Sequence, residues 1–147
     1  MKKYELVVVA KGSEIGHKAA EEAAIIAKDK NIKTIHLLFV NDIDFYSGGG
    51  ISYLKEELQK SLENIGDAII RMLTETIKKH NPDVNIEKIE LAGKTAEEIL
   101  KFVNENEIDI FIIPKDKRGP IEKSLVGGEI EPFFDQIKER TNLIVVQ

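Results

Sequence analysis

Cysteine is absent from the 147 residues. Its absence excludes disulfides, thiolate metal sites and cysteine nucleophiles, and it leaves the redox compartment open. A basic excess is missing too. The 21 Lys and Arg stand against 26 Asp and Glu, and the net charge of −5 argues against a general nucleic-acid surface. Long apolar runs are lacking: MKKYELVVVA is too short for a signal peptide and no segment approaches a membrane span. A cytoplasmic chain with no membrane partner is therefore the expectation. There is no G-x-S-x-G elbow, no H-E-x-x-H and no intact P-loop. His17, His36 and His80 have no companions at metal-ligand spacing. Asp42, Asp44 and Asp116 do not make a carboxylate pair for acid–base work. Enzymatic chemistry is left without support.

What is present reads as one α/β domain over residues 1–147, with 42% apolar residues and length enough for a real core. A first strand is expected over residues 4–10, then a turn at Lys11, Gly12 and Ser13, with Ser13 as N-cap. The next helix carries Ile15, Ala19, Ala23, Ile26 and Ala27 on one face. A buried strand follows at 35–40. Glycines 48–50 lie in a connector that is either a lid or a flexible link, beside Phe45, Tyr46 and Tyr53. A helix over 52–80 repeats Leu54, Leu58, Leu62, Ile65, Ile69, Leu73 and Ile77, and its length predicts a bend near Gly66. Residues 84–91 alternate as a half-exposed edge strand. Thr95 and Glu98 suggest a capping box for a helix faced by Ala96, Ile99, Leu100 and Val103.

Residues 108–134 are the centre of the chain. Ile110, Phe111, Ile112 and Ile113 form an unbroken apolar run, as in a strand covered on both faces. A long polar loop with Lys115, Lys117, Arg118 and Lys123 comes next, then Gly127 and Gly128 before a helix over 129–140. Pro132 is tolerable in that helix's first turn. A last strand ends the chain. This βαβαβαβαβ order implies a doubly wound, five-stranded parallel sheet with helices on both faces. Ligands of such sheets bind beyond the strand C-termini, where the winding reverses. With strand one beside strand four, that cleft is flanked by residues 10–13 and 114–128.

These segments resemble the universal stress protein family over nearly the whole chain. Val9-Ala10-Lys11-Gly12-Ser13-Glu14 is similar to its V-D-G-S-E turn, and Gly93-Lys94-Thr95-Ala96-Glu97-Glu98-Ile99 to its G-x-P-A-x-x-I segment. Asp109 to Ile113 resembles D-L-I-V-M, Gly127-Gly128-Glu129-Ile130-Glu131 resembles G-S-V-A-E, and Asn142 to Val146 resembles P-V-L-V-V. The family's ATP pattern, G-x2-G-x9-G-[ST], falls by spacing on Pro114, Lys117, Gly127 and Gly128. Only the third glycine survives. Pro114 has no N–H to donate, and the Lys117 side chain prevents close backbone approach. The family's aspartate after strand one is Lys11 here, and Val40 stands at its adenine wall. The resemblance thus implies a stress-response binding protein with a degenerate ATP motif.

Each feature carries two readings. Lys11, Lys115, Lys117, Arg118 and Lys123 either hold a phosphate or other anion, or are a solvated loop. Gly12 and Ser13 either touch a ligand or only make a turn and cap, and Val40 is either a pocket wall or core. Gly127 and Gly128 either serve an anion or ease the start of a helix. Leu143, Ile144, Val145 and Val146 are expected to form a homodimer contact, as the resemblance implies, or else a covered edge. The leading expectation is a non-catalytic, dimeric regulatory protein with a degenerate nucleotide cleft and no obligatory cofactor. The alternative is a true ATP- or AMP-binding member that uses lysines in place of glycines. A flavodoxin-like receiver is set aside, because Ala10, Lys11, Ala92 and Gly93 stand where its acids belong.

Overall fold

The β-branched run at the N-terminus forms β1 (Lys3–Val9), in which Leu6, Val7 and Val8 are fully buried. The chain is described here by a computed structural model covering residues 2–46, 55–117, 119–125 and 129–147. After β1 come α1 (Glu14–Asp29), β2 (Thr34–Asn41), α2 (Ile43–Tyr46), α3 (Lys55–His80) and β3 (Asn85–Ala92). Then follow α4 (Thr95–Glu105), β4 (Glu107–Pro114), α5 (Pro120–Ser124), α6 (Ile130–Lys138) and β5 (Asn142–Val146). The five strands pair in parallel in the order β3-β2-β1-β4-β5. The winding reverses between β1 and β4, as the alternation of elements predicts.

Strand periodicity splits the core in two. Leu6, Val8, Leu37 and Ile112 face α1 and α3, where Ala19, Ala23, Ala27, Leu73 and Ile77 meet them. Val7, Val9, Leu38 and Ile113 face α4 and α6, where Ile99, Val103, Phe134 and Ile137 meet them. β3 is a sheet edge, and its exposed Glu87, Lys88 and Glu90 alternate with half-buried Ile86, Ile89 and Leu91. β5 is the other edge, and Leu143, Ile144, Val145 and Val146 are all half-buried there.

Several details differ from the sequence expectations. α3 runs through Gly66 as one helix. A Cβ at Gly66 would stand 2.7 Å from Phe39 Cε2, so this glycine lets the helix lie against the Phe39 ring. Ile65, expected on the apolar face, is 40% exposed. Two short helices, α2 and α5, occupy segments expected to be loop. The Thr95–Glu98 capping box does not form. Lys94 is the N-cap of α4 and makes no side-chain cap bond, while Thr95 is the first helical residue. Glu98 instead lies against Gly93, whose φ of 142° suits only glycine. Glycines 48–50, Ser52, Tyr53 and Leu54 lie outside the described residues, as do the side chains of Asp44, Tyr46 and Leu58.

Candidate functional site

The reversal of winding brings the end of β1 beside the end of β4, since Val8 is in register with Ile112. Beyond these ends lies a cavity lined by Val9, Ala10, Lys11, Phe39, Val40, Thr95, Pro114, Pro120 and Ile121. It amounts to about 20 Å³, room for one water and not for a ligand of several rings. Ala10, Lys11, Val40 and Pro114 of the sequence-derived candidates line it. Pro114 ends β4 and is buried, with its carbonyl side continuing into Lys115, whose N–H donates to Val146 O at 2.8 Å.

Lys11 is one of the residues lining the cavity. Its side chain is only 16% exposed, and Nζ lies 3.3 Å from Asp116 Oδ2. The ammonium rests against Gly119: a Cβ at Gly119 would land on Lys11 Nζ and stand 2.6 Å from Glu122 Oε1. Glu122 Oε2 accepts a hydrogen bond from the Asp116 N–H at 3.2 Å, while its buried Oε1 has no hydrogen-bond partner. One cation therefore sits among two carboxylates. Lys11, expected either to hold an anion or to be solvated, is thus ion-paired with Asp116. Asp116 and Glu122 were not among the sequence-derived site residues.

Beside the cavity is an open recess of about 350 Å³, lined by Ser13, Glu14, Ile15, Lys18, Lys115, Asp116 and Lys117. Ser13 is the N-cap of α1 and its Oγ accepts from Gly16 N at 3.3 Å, so it is committed to the helix. Lys115 reaches Glu131 at 4.0 Å, and Lys117 is exposed. Gly12 lines neither space. A Cβ there would stand 3.2 Å from Ile69 Cγ1, so Gly12 serves the contact of the turn with α3. Lys123 lies over the Phe45 ring, 5.7 Å from its centroid, and also lines neither space. Arg118, Gly127 and Gly128 are outside the described residues.

Thr95, one of the cavity's lining residues, is held by a buried carboxylate. Asp42, 3% exposed, accepts from the Thr95 N–H at 2.9 Å, the Thr95 hydroxyl at 2.7 Å and the Phe45 N–H at 3.1 Å. Ser124 Oγ accepts from Ala96 N at 2.8 Å. These two side chains satisfy the first free N–H groups of α4 from outside the helix. Neither was singled out for this role from sequence. The signal that could have found Asp42 is an acid just past a buried strand, followed by a turn. Among the described residues no group of three His, Asp or Glu could hold a metal, and no helix is long and apolar enough to cross a membrane.

Solved structures share this architecture. Universal stress protein UspA from Lactobacillus plantarum is 16% identical, with 100% of each chain covered and a TM-score of 0.67. The universal stress protein from Archaeoglobus fulgidus in complex with dAMP is 15% identical over 98% of each chain, with a TM-score of 0.59. A universal stress protein in complex with cAMP is 17% identical, covering 98% of this chain and 97% of that one, with a TM-score of 0.61. At such identities the likeness is one of fold. No curated protein matches the chain. The sequence model of the Universal stress protein family matches residues 3–131, most of the length, and the chain belongs to that family.

Proposed function

We propose that this chain is a non-catalytic regulatory protein of the universal stress type, cytoplasmic and homodimeric, that acts by binding. Its nucleotide cleft is degenerate, and its anion contacts are side-chain cations in place of a glycine cradle. The observation that carries this reading is Lys11 in the cavity wall, ion-paired with Asp116. Pro114 in the cavity wall supports it, because a proline offers no N–H to a phosphate. In the recess, Lys18, Lys115 and Lys117 face Glu14 and Asp116; Asp116 is engaged by Lys11 and Lys115 lies 4.0 Å from Glu131, so cations still exceed carboxylates by one. That balance supports a phosphate or a similar small anion as its occupant. The edge position of β5, with four half-buried apolar side chains, supports pairing with a second copy.

Purified protein is denatured and its supernatant chromatographed for nucleotide. The expected result is none, together with no phosphate release from Mg-ATP and a rise in Tm with millimolar inorganic phosphate. ATP at close to one per chain would overturn the reading.

The second reading is a true ATP- or AMP-binding protein. It is favoured by the fold shared with proteins solved in complex with dAMP and cAMP. Here ATP at 100 times its Kd would stabilise the chain by about 2.7 kcal/mol. An unmoved Tm at millimolar ATP would sink it.

A further inference from the structure

We infer that the end of the sheet opposite the cleft, where α1 and α3 both finish, is a docking surface for a short acidic segment of a partner protein. Residues 28–33, KDKNIK, and residues 78–83, KKHNPD, hold five lysines and two aspartates in a chain whose net charge is −5. The fold brings the two stretches together. Asn81 Nδ2 donates to Ala24 O at 3.2 Å, Asn85 N donates to Lys33 O at 2.9 Å, and His80 Nε2 lies 4.0 Å from Glu21 Oε1. Thr34 and Asn85 are in register at the starts of β2 and β3, so this end is independent of what the cleft holds.

Positive charge is in surplus here. Lys28, Lys30, Lys33, Lys78 and Lys79 are all exposed. Lys3, Lys11, Lys88 and Lys115 each meet a carboxylate, but none of these five does among the described residues. Lys33 Nζ donates to Asn31 Oδ1 at 3.2 Å, and Lys78 Nζ donates to the carbonyls of Pro82 and Val84. Capping the helices does not use the charge up. Each helix C-terminus carries about half a negative charge, so the two ends with Asp29 and Asp83 offset about three of the five positive charges.

The confinement of the surplus selects the partner. Screening limits its reach to about 8 Å at physiological salt. A nucleic acid or an anionic bilayer would extend past it onto the acidic remainder of the chain and be repelled. A short segment rich in Asp and Glu would not. Ile25, 46% exposed and one turn before Lys28, offers that segment an apolar contact.

The whole chain is titrated into a fluorescent peptide of alternating Glu and Leu, with anisotropy as the readout. Wild type is expected to bind it, and to bind more weakly as salt rises. Two double variants carry the same change in net charge. Lys28→Glu with Lys79→Glu reverses the surface, and Lys60→Glu with Lys101→Glu reverses exposed lysines elsewhere. The first should bind about tenfold more weakly than wild type and the second within about twofold of it. Equal losses in the two would overturn the surface, as would no binding by wild type at low salt. Tighter binding of oligothymidylate or of phosphatidylserine vesicles than of the peptide would overturn the choice of partner.

A measurement on wild type alone covers the case of a variant that does not fold. Bound peptide should slow acylation of Lys28 and Lys79 by an N-hydroxysuccinimide ester, read by mass spectrometry, and leave Lys60 and Lys101 unchanged. Uniform slowing, or none, would overturn the surface.

Discussion

Asp42 and Thr95 are 53 residues apart and share two hydrogen bonds, one to the Thr95 N–H and one to its hydroxyl. A residue at the end of β2 thereby caps α4 from outside. Replacing Asp42 by Ala leaves two backbone N–H groups and a hydroxyl unpaired in a buried place. The expected loss is about 3 kcal/mol, since each buried unsatisfied donor costs about 1–3 kcal/mol and some regain water. Thr95→Val keeps the backbone bond and should cost about 1 kcal/mol. Urea denaturation of both variants measures the difference, and equal losses would contradict the assignment.

Gly66→Ala would ordinarily stabilise a helix. Here the added methyl stands 2.7 Å from the Phe39 ring, and the ring lies in the packed core. Overpacking should instead destabilise by about 1–3 kcal/mol, lowering Tm by several degrees. Phe39→Leu in the same chain should recover part of the loss, and calorimetry of the double variant reads that coupling.

Gly119→Ala addresses the other crowded glycine. The atoms its methyl would meet, Lys11 Nζ and Glu122 Oε1, are ends of flexible side chains. The fold should therefore survive with a change in stability under about 1 kcal/mol. The Lys11 ammonium is expelled from its seat, so its acylation rate should rise several-fold while that of Lys117 stays constant.

Lys88 holds Asp67 at 2.9 Å and Glu90 at 3.1 Å. The hydrogen bond to Asp67, then that to Glu90, raises its pKa above the ordinary 10.5. A raised folded-state pKa means that the stabilisation is fully present below the unfolded value and is lost as pH climbs through the folded one. The lysine is one-third exposed, so Lys88→Met should cost at most about 1 kcal/mol at pH 7. Urea midpoints of the two proteins should converge as pH rises past the lysine's raised pKa, or in 1 M salt, where the screening length is about 3 Å.

Val146 O faces β4, where it accepts from the Lys115 N–H, and by strand alternation the Val145 N–H faces away from β4. Val145→Pro should leave the ladder to β4 intact and remove one edge donor. Light scattering is expected to show a dimer for wild type and a monomer for this variant. A monomeric wild type would remove the proposed dimer.

Much of this was legible in sequence because it rests on repetition. Unbroken apolar runs at Leu6 to Val9 and Ile110 to Ile113 give strands buried on both faces, and their alternation with helical periods gives the parallel order. Apposition of the turn at Lys11 with the loop after Pro114 follows from that order. What was not legible depends on single contacts across distance. The partner of Lys11 is set by how the loop after β4 folds back through α5, a helix of five residues with no period to read. The cap of α4 comes from Asp42, so the local Thr95–Glu98 signature pointed to the wrong acceptor. Gly66 looked like a hinge because a helix pattern does not reveal which aromatic ring it will meet.

The two margins of the sheet are chemically unlike. Glu87, Lys88 and Glu90 stud one, while Leu143 to Val146 leave the other oily. Under the proposed pairing of β5 with a second copy, the border used by one chain is the same border used by the other, so such a union would close at two chains and leave the charged row of β3 facing outward.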